Sequence, residues 1–512
     1  MKYRYKTKPY HHQVRGIKKL LANGYGGALL FEPRTGKTKT AIDYMSIEAM
    51  RGGPKQWLVV CPARVMDVWL EQIHEHCPLR ANVLLWDKDE RKATIKLPTH
   101  TTRYDLTVVV INYDAFATPG VVTRQRYLDR NTGTYKYRRV RSKRKGGRYD
   151  VKKKLTPWVL DQPTGCILDE SHKIKSPSGK ASSMLRRMSP LFDRRVLLTG
   201  TVITKAKRPV DVYIQWKFLN PDRVSQWQRS EDFREHFGRF THANGYPQWL
   251  GPKNADELRR LMFKDAVAVK RSECFDLPAP PVKLITVPME RSRKYYDEMA
   301  RDLVIKLKTG EISEATIKLT QALRLSQITG GVVKVTDPEP GRLVRVGREK
   351  LERLEPIFEE AADNDEKVVV MARFKADLAA IARLASDKYK LPTWRLQGGV
   401  KPRDSAADIR AFRAHDEAGV YVVQPQAGGL GIDLSTASTL VWFSLTTSWV
   451  DYTQATDRLA LNPDHQIIYL LAQDSIDELL YASLQLDGNV AKYMTTHPDA
   501  VLEGVDLPNL MS

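Results

Sequence analysis

The fold turns on one stretch of the chain, Ala28-Leu29-Leu30-Phe31-Glu32-Pro33-Arg34-Thr35-Gly36-Lys37-Thr38-Lys39-Thr40-Ala41-Ile42-Asp43-Tyr44. Four apolar residues make a short buried strand, Pro33 and Gly36 punctuate a loop, and a helix opens after it. A strand–loop–helix turn aims backbone N–H groups and the positive end of the helix at a single point, which suits a phosphate. Thr35 and Gly36 shape that turn. Lys37 is placed to reach the β- and γ-phosphates of a nucleotide, and the Thr38 hydroxyl to ligate Mg²⁺. The pattern departs from a full phosphate loop, because Phe31 stands five positions before Gly36 where glycine is the rule.

A second apolar run, Cys166-Ile167-Leu168, ends in Asp169-Glu170. A carboxylate at the end of a strand beside a phosphate loop can hold Mg²⁺, and the next one can polarise the attacking water. Further short β-branched runs surround these two: Trp57–Val60, Leu106–Val110 and Val196–Leu198. A second series follows at Lys283–Val287, Lys367–Val370, Val420–Val423, Thr439–Phe443 and Gln466–Leu470. Amphipathic stretches separate most of them. That alternation predicts an α/β fold of two doubly wound parallel-sheet lobes in tandem. We expect lobe one over residues 1–205, with a basic insertion at about 121–155. A helical segment and Pro-rich linker should fill 206–281, and lobe two 282–512, with a helical insert at about 290–365. A chain of 512 residues is long enough for two or three domains of ordinary size.

Charge points to the partner. The chain carries 82 Lys and Arg against 60 Asp and Glu, a formal net charge of +22, which favours a polyanion. Fourteen of the basic residues crowd between Val121 and Leu155, Arg138, Arg139, Arg141, Lys143, Arg144 and Lys145 among them. Only Asp129 and Asp150 oppose them, and Tyr127, Tyr135, Tyr137 and Tyr149 are interleaved. Such density suits phosphate neutralisation with base stacking. The four cysteines, Cys61, Cys77, Cys166 and Cys274, form no Cys-x-x-Cys pair, so zinc and a disulfide framework are not expected; buried thiols are. No apolar run is long enough to span a bilayer, and no apolar stretch follows the basic N-terminus. A cytoplasmic monomer with no membrane partner is the expectation.

These motifs, in this order, resemble the helicase superfamily-two motors, and within them the Swi/Snf-type DNA translocases. Pro9-Tyr10-His11-His12-Gln13 with Gly16 is similar to the adenine-reading glutamine motif, with Gln13 as its key residue. Leu58–Ala63 with Trp69 resembles motif Ia, Asn112-Tyr113-Asp114 motif Ib, Asp169-Glu170-Ser171-His172 motif II, and Leu198-Thr199-Gly200-Thr201 motif III. Phe218-Leu219-Asn220-Pro221 matches a phrase of the Swi/Snf branch. In lobe two, Lys367–Phe374 resembles motif IV, and Leu396-Gln397-Gly398-Gly399 the motif after it. Gln426–Leu434 resembles motif V, and Gln454-Ala455-Thr456-Asp457-Arg458 motif VI.

The resemblance implies RecA-like lobes that bind ATP and Mg²⁺ and move along duplex or branched DNA. On that reading Lys37, Asp169, Glu170, Gln454 and Arg458 are catalytic, and Arg458 reaches the γ-phosphate. Gln13, Thr35, Gly36, Lys37, Thr38, Gly431 and Asp433 hold ATP, while Thr38 and Asp169 hold the metal. Asn112, Thr199, Thr201, Gly398 and Gly428 join the basic residues above on DNA. The chain departs from the pattern at Leu461, where the family carries a second arginine, and at Val202, where Pro is usual. Leu461 keeps open an ATP-gated DNA-binding protein with little turnover, and a strand-separating helicase or an RNA motor remain alternatives. The immediate start at the glutamine motif, without accessory regions, favours a compact phage or bacterial member.

Overall fold

Every one of the ten apolar runs expected as strands becomes a strand, and the structure, a computed structural model, gathers them into two parallel sheets. It describes residues 3–86, 97–98, 102–117, 122–128, 135–141, 148–200, 209–243, 246–274, 280–308, 315–334, 343–400, 402–428, 433–459, 462, 464–486, 503 and 505. The chain divides into two units, Met1–Phe275 and Asp276–Ser512.

The first unit contains β1 (Gly26–Phe31), β2 (Gln56–Cys61), β3 (Ala81–Leu85), β4 (Leu106–Asn112), β5 (Val122–Leu128), β6 (Tyr135–Arg141), β7 (Thr164–Asp169), β8 (Arg194–Leu198), β9 (Gly238–Ala243), β10 (Tyr246–Pro252) and β11 (Ala266–Val269). Seven of these form one parallel sheet in the order β11-β1-β8-β7-β2-β4-β3. β1, β2, β4 and β7 are covered on both faces, which is why they read as continuous apolar runs. The stretch 206–281, expected as a helical joint, belongs almost wholly to this unit. Its helices Val210–Leu219, Ser230–Phe237 and Ala255–Asp265 pack Trp216, Phe218, Phe233 and Leu261 against Leu58, Cys166 and Leu197 of the sheet. Its strand β11 then pairs in parallel with β1, Ala28 opposite Ala266.

Among the described residues the basic insertion has two parts. β5 and β6 form an antiparallel ribbon, with Arg124 opposite Arg139 and Gln125 opposite Arg138. The helix Arg148–Asp161 that follows is not an appendage, because Val151, Leu155 and Trp158 are buried in the core of the unit. Cys61, Cys77 and Cys166 are buried thiols as expected, whereas Cys274 is partly exposed.

The second unit contains β12 (Val282–Val287), β13 (Val332–Lys334), β14 (Leu343–Arg345), β15 (Lys367–Met371), β16 (Thr393–Leu396), β17 (Gly419–Val423), β18 (Thr439–Trp442) and β19 (Gln466–Ala472). Its sheet is again all parallel, ordered β12-β19-β18-β15-β17-β16. Alternation along the strands builds two cores. Val369, Met371, Leu440 and Trp442 face one side with the helices Arg293–Lys308 and Ala315–Thr329, through Tyr296, Leu303 and Leu325. Val368, Val370 and Val441 face the other with helix Glu349–Asp363, through Leu351, Leu354 and Phe358. Residues 290–365 were expected as an insert. Instead they supply helices to both faces of the sheet, because their apolar stripes have no other surface to cover.

Candidate active site

In a parallel sheet all strand ends of one sense share an edge, and ligands gather there. The C-terminal edge of the first sheet carries the loop after β1, Asp169 at the end of β7, and Thr199 after β8. β8 lies between β1 and β7, so loop and carboxylate flank one strand.

The loop is held by its own backbone and by the glutamine motif. Gly36 precedes helix Lys37–Met50 with φ +81°, a left-handed turn that favours glycine. A Cβ there would also collide with the Gln13 amide. Gln13, almost wholly buried, accepts from the Tyr10 N–H at 2.9 Å and directs its amide N–H at the Thr35 carbonyl at 3.5 Å. His12 Nε2 lies 2.8 Å from the same carbonyl. Thr35 Oγ1 donates to the Glu32 carbonyl. The Lys37 ammonium donates to the Phe31 and Glu32 carbonyls at 2.8 and 3.3 Å, folded back along the turn. Thr38 sits half-buried in the first helical turn. The loop is therefore held in a fixed turn at a helix N-terminus with the Lys37 ammonium beside it, a geometry that suits an anion.

Asp169 is buried and held from three directions. Trp69 Nε1 donates to Oδ2 at 2.9 Å, the Glu170 N–H donates to Oδ1 at 2.9 Å, and Tyr113 OH donates to the main-chain oxygen at 2.8 Å. Burial, then the neighbouring Glu170 carboxylate, pushes its pKa up to about 6; the Trp69 N–H and the Lys37 charge pull it back. A buried, hydrogen-bonded carboxylate with a hydroxyl-bearing residue such as Thr38 on the same edge is an oxygen donor set for a hard divalent cation. Among the described residues no group of three or more His, Cys, Asp or Glu could hold a metal ion. Glu170 adopts φ +50°, an unusual backbone for glutamate, and its Oε2 lies 3.3 Å from His172 Nδ1. His172 Nδ1 is also 3.4 Å from Thr199 Oγ1, which links motif II to motif III. The N–H of Thr199 bonds the Leu29 carbonyl at 3.1 Å, and Gly200 packs against Pro33.

The expected strand contacts divide. Asn112 Oδ1 accepts from the Ala115 N–H at 3.1 Å and caps the short helix Asp114–Ala117. Thr199 is fully buried, so its hydroxyl is not presented to a strand as expected; it serves the His172 contact. Arg138, Arg139 and Arg141 lie on β6. Thr201, Lys143, Arg144 and Lys145 lie outside the described residues.

In the second unit Gly398 N–H donates to Gln424 Oε1 at 2.8 Å, and Gln424 Nε2 donates to the Arg373 carbonyl at 3.0 Å. Burial pulls the Arg373 guanidinium down to about 10. Gln454 and Arg458 are buried on and just after helix Trp449–Thr456, and the Arg458 carbonyl accepts from Leu434 N–H at 3.3 Å. Asp433, expected at a nucleotide, turns one oxygen to the Ser435 N–H and hydroxyl and the other towards Arg413 at 3.6 Å, because Ser435 follows it in a tight turn. Gly428 closes the short helix Pro425–Gly428, while Gly431 and Leu461 lie outside the described residues.

Sequence reasoning missed two features here. Tyr10 is exposed and stacks on His12, ring centroids 5.7 Å apart and planes 9° from parallel, beside the loop. Trp69 is the other: an aromatic at that place is visible in the sequence, its hydrogen bond to a residue a hundred positions away is not.

The SNF2-related domain family matches residues 11–329, and the helicase conserved C-terminal domain residues 349–460. A probable chromatin-remodeling complex ATPase chain of Oryza sativa subsp. japonica is 22% identical, over 98% of this chain and 43% of that protein. The ISWI chromatin-remodeling complex ATPase ISW1 of Saccharomyces cerevisiae is 21% identical, over 90% and 37%. The chain thus spans less than half the length of these relatives, and they lend no support to a phage origin. The SWI2/SNF2 ATPase core of Sulfolobus solfataricus, solved in complex with dsDNA, aligns over 99% of this chain and 97% of that one, at 19% identity and a TM-score of 0.40. Among the described residues no helix is long and apolar enough to cross a membrane.

Proposed function

The chain belongs to the SNF2-related domain family, and on that premise we propose that it is an ATP-dependent motor that travels along duplex or branched DNA. The observation that carries the reading is the pairing on one sheet edge of the loop 32–38 with Asp169-Glu170, a strand apart. The N–H groups around Gly36 and the Lys37 ammonium bind the β- and γ-phosphates, Lys37 leaving its carbonyl partners to do so. Adenine is read by Gln13 and lies against Tyr10 and His12. Thr38 and Asp169 would hold Mg²⁺, which when bound neutralises charge on the phosphate oxygens. Glu170, fixed by His172, orients a water for in-line attack on the γ-phosphorus. The bond to the β–γ bridging oxygen breaks, ADP and phosphate leave, and the proton of the water passes towards Glu170. Arg458, with Gln454, supplies the charge that the family places on the γ-phosphate in the transition state.

DNA is the partner that the +22 net charge and the basic ribbon favour, without sequence reading, since phosphate contacts carry no base information. A monomer acting in the cytoplasm of a bacterial or phage-infected cell is the setting we propose; the Oryza sativa and Saccharomyces cerevisiae relatives are named as chromatin-remodeling complex ATPases. Leu461, in place of the second arginine, supports one competing reading, a DNA-binding protein gated by ATP that barely turns over.

The experiment is steady-state phosphate release with no polymer, single-stranded DNA, duplex DNA, a four-way junction and RNA, with Lys37→Ala as control. Strong stimulation by duplex or junction DNA, abolished in the control, is the expected result. No stimulated turnover on any polymer would refute the motor and leave the gated binder. Stimulation by RNA alone would make the substrate RNA.

A further inference from the structure

Asp169 is held by Trp69, in the helix that follows β2, and by Tyr113, next to Asn112 after β4, where a nucleic-acid strand is expected. Trp69 lies in the first turn of helix Met66–His76, directly after the loop that leaves β2 at Cys61. Tyr113 follows Asn112 at the end of β4. In the sheet β7 neighbours β2 and β2 neighbours β4, so Trp69 reaches Asp169 from beyond the adjacent strand and Tyr113 from one strand further. Trp69 is fully buried and donates to Oδ2; Tyr113 is nearly so and donates to the carbonyl of the same residue. With the Glu170 N–H on Oδ1, each carboxylate oxygen keeps capacity for one further partner. A buried indole or phenol needs some hydrogen-bond partner. Any carbonyl would satisfy that need, yet both converge on the one residue proposed to hold the metal.

We propose that Trp69 and Tyr113 are positioning residues that link occupancy of the β2 and β4 loops by DNA to the metal affinity of Asp169. This rests on the function proposed above. A strand seated on the two loops fixes the first turn of helix Met66–His76 and the Asn112–Tyr113 corner. The two donors then hold the carboxylate in the orientation a Mg²⁺–nucleotide requires. By linkage, metal–nucleotide binding tightens the grip on DNA by the same factor. The device needs no large movement, since hydrogen bonds to charged groups weaken steeply with misalignment.

The test measures mant-ADP affinity in MgCl₂ and in EDTA, with and without duplex DNA, for the wild-type chain, Trp69→Phe and Tyr113→Phe. The ratio of the two affinities isolates the metal contribution, which a general loss of stability does not change selectively. Trp69→Phe should reduce that ratio about tenfold, the scale of one charge-assisted hydrogen bond, with EDTA affinity within about twofold. Tyr113→Phe should reduce the response of the ratio to duplex DNA. If Trp69→Phe folds poorly, Tyr113→Phe, which deletes one oxygen, reads the same linkage. A wild-type ratio that responds to DNA, with both variants matching it, overturns the linkage alone. A wild-type ratio that ignores DNA overturns the linkage as well, while the motor reading stands or falls separately on DNA-stimulated phosphate release.

Discussion

Asp377→Asn should stabilise the second unit at neutral and alkaline pH and do almost nothing below about pH 4. Asp377 stands in the first turn of helix Lys375–Arg383, is 1% exposed, and neither carboxylate oxygen has a hydrogen-bond partner among the described residues. It borders a cavity of about 100 Å³ lined also by Val332, Leu343 and Phe374, and presses on Gly330. Burial pushes its pKa up to about 7, the Arg345 and Lys350 charges pull it down, and Asp477 adds a smaller upward push. An unfolded aspartate titrates near 3.9. The folded state therefore keeps its proton to higher pH than the unfolded state, so wild-type stability falls as pH rises from about 4 to about 7 and levels off above. Three pKa units correspond to about 4 kcal/mol, an upper limit for what the uncharged, near-isosteric asparagine recovers. For a unit of this size that is a rise in Tm on the order of 10 °C. Thermal unfolding of both proteins from pH 4 to pH 8.5 gives the answer, followed on the transition that the substitution moves. An equal shift at every pH, or destabilisation at pH 8, would refute the reasoning.

Two further predictions concern function. Replacing 122–141 by a short Gly-Ser linker, which spares the core helix Arg148–Asp161, should weaken DNA affinity and flatten its salt dependence, measured by anisotropy titrations between about 50 and 200 mM salt; unchanged affinity and slope would remove the ribbon from the DNA interface. A longer deletion reaching 154 would instead unfold the unit, since Val151 lies in its core. Leu461→Arg, restoring the second arginine of the family, should raise duplex-stimulated turnover about tenfold with little change in ATP affinity, and no gain would mean another group already supplies that charge.

The central strands were legible because they are buried on both faces: Leu58-Val59-Val60 or Val368-Val369-Val370 leaves little else to propose. Most edge strands were not. β11 is Ala266-Val267-Ala268-Val269, four residues directly after a helix, and alanine favours helix. β3 is half-buried throughout, and β16 contains an exposed Arg395. The loop at Gly36 and the carboxylates at Asp169-Glu170 could be read from local pattern, because their chemistry is local. The contacts of Trp69, Tyr113 and His172 could not, since each is made by strands brought side by side from distant sequence. The helix Arg148–Asp161 was obscured by Lys152, Lys153 and Lys154, whose charge drew the whole stretch into the basic insertion while Val151 and Leu155 faced inward.

The place of β11 bears on how the protein is made. Until β11 arrives, the strand that leads into the phosphate loop is the bare edge of its sheet, with Leu29 and Phe31 lacking their partners Val267 and Val269. More than two hundred residues separate those partners, so on a ribosome adding roughly 5–20 residues per second the edge stays open on the order of 10–50 s. Glu32 likewise waits for the Arg271 N–H that its carboxylate accepts at 2.7 Å. The loop at residues 32–38 is thus encoded early but secured late. A nascent chain stopped short of β11 presents an apolar strand edge, the point at which a chaperone or a second nascent chain would bind first.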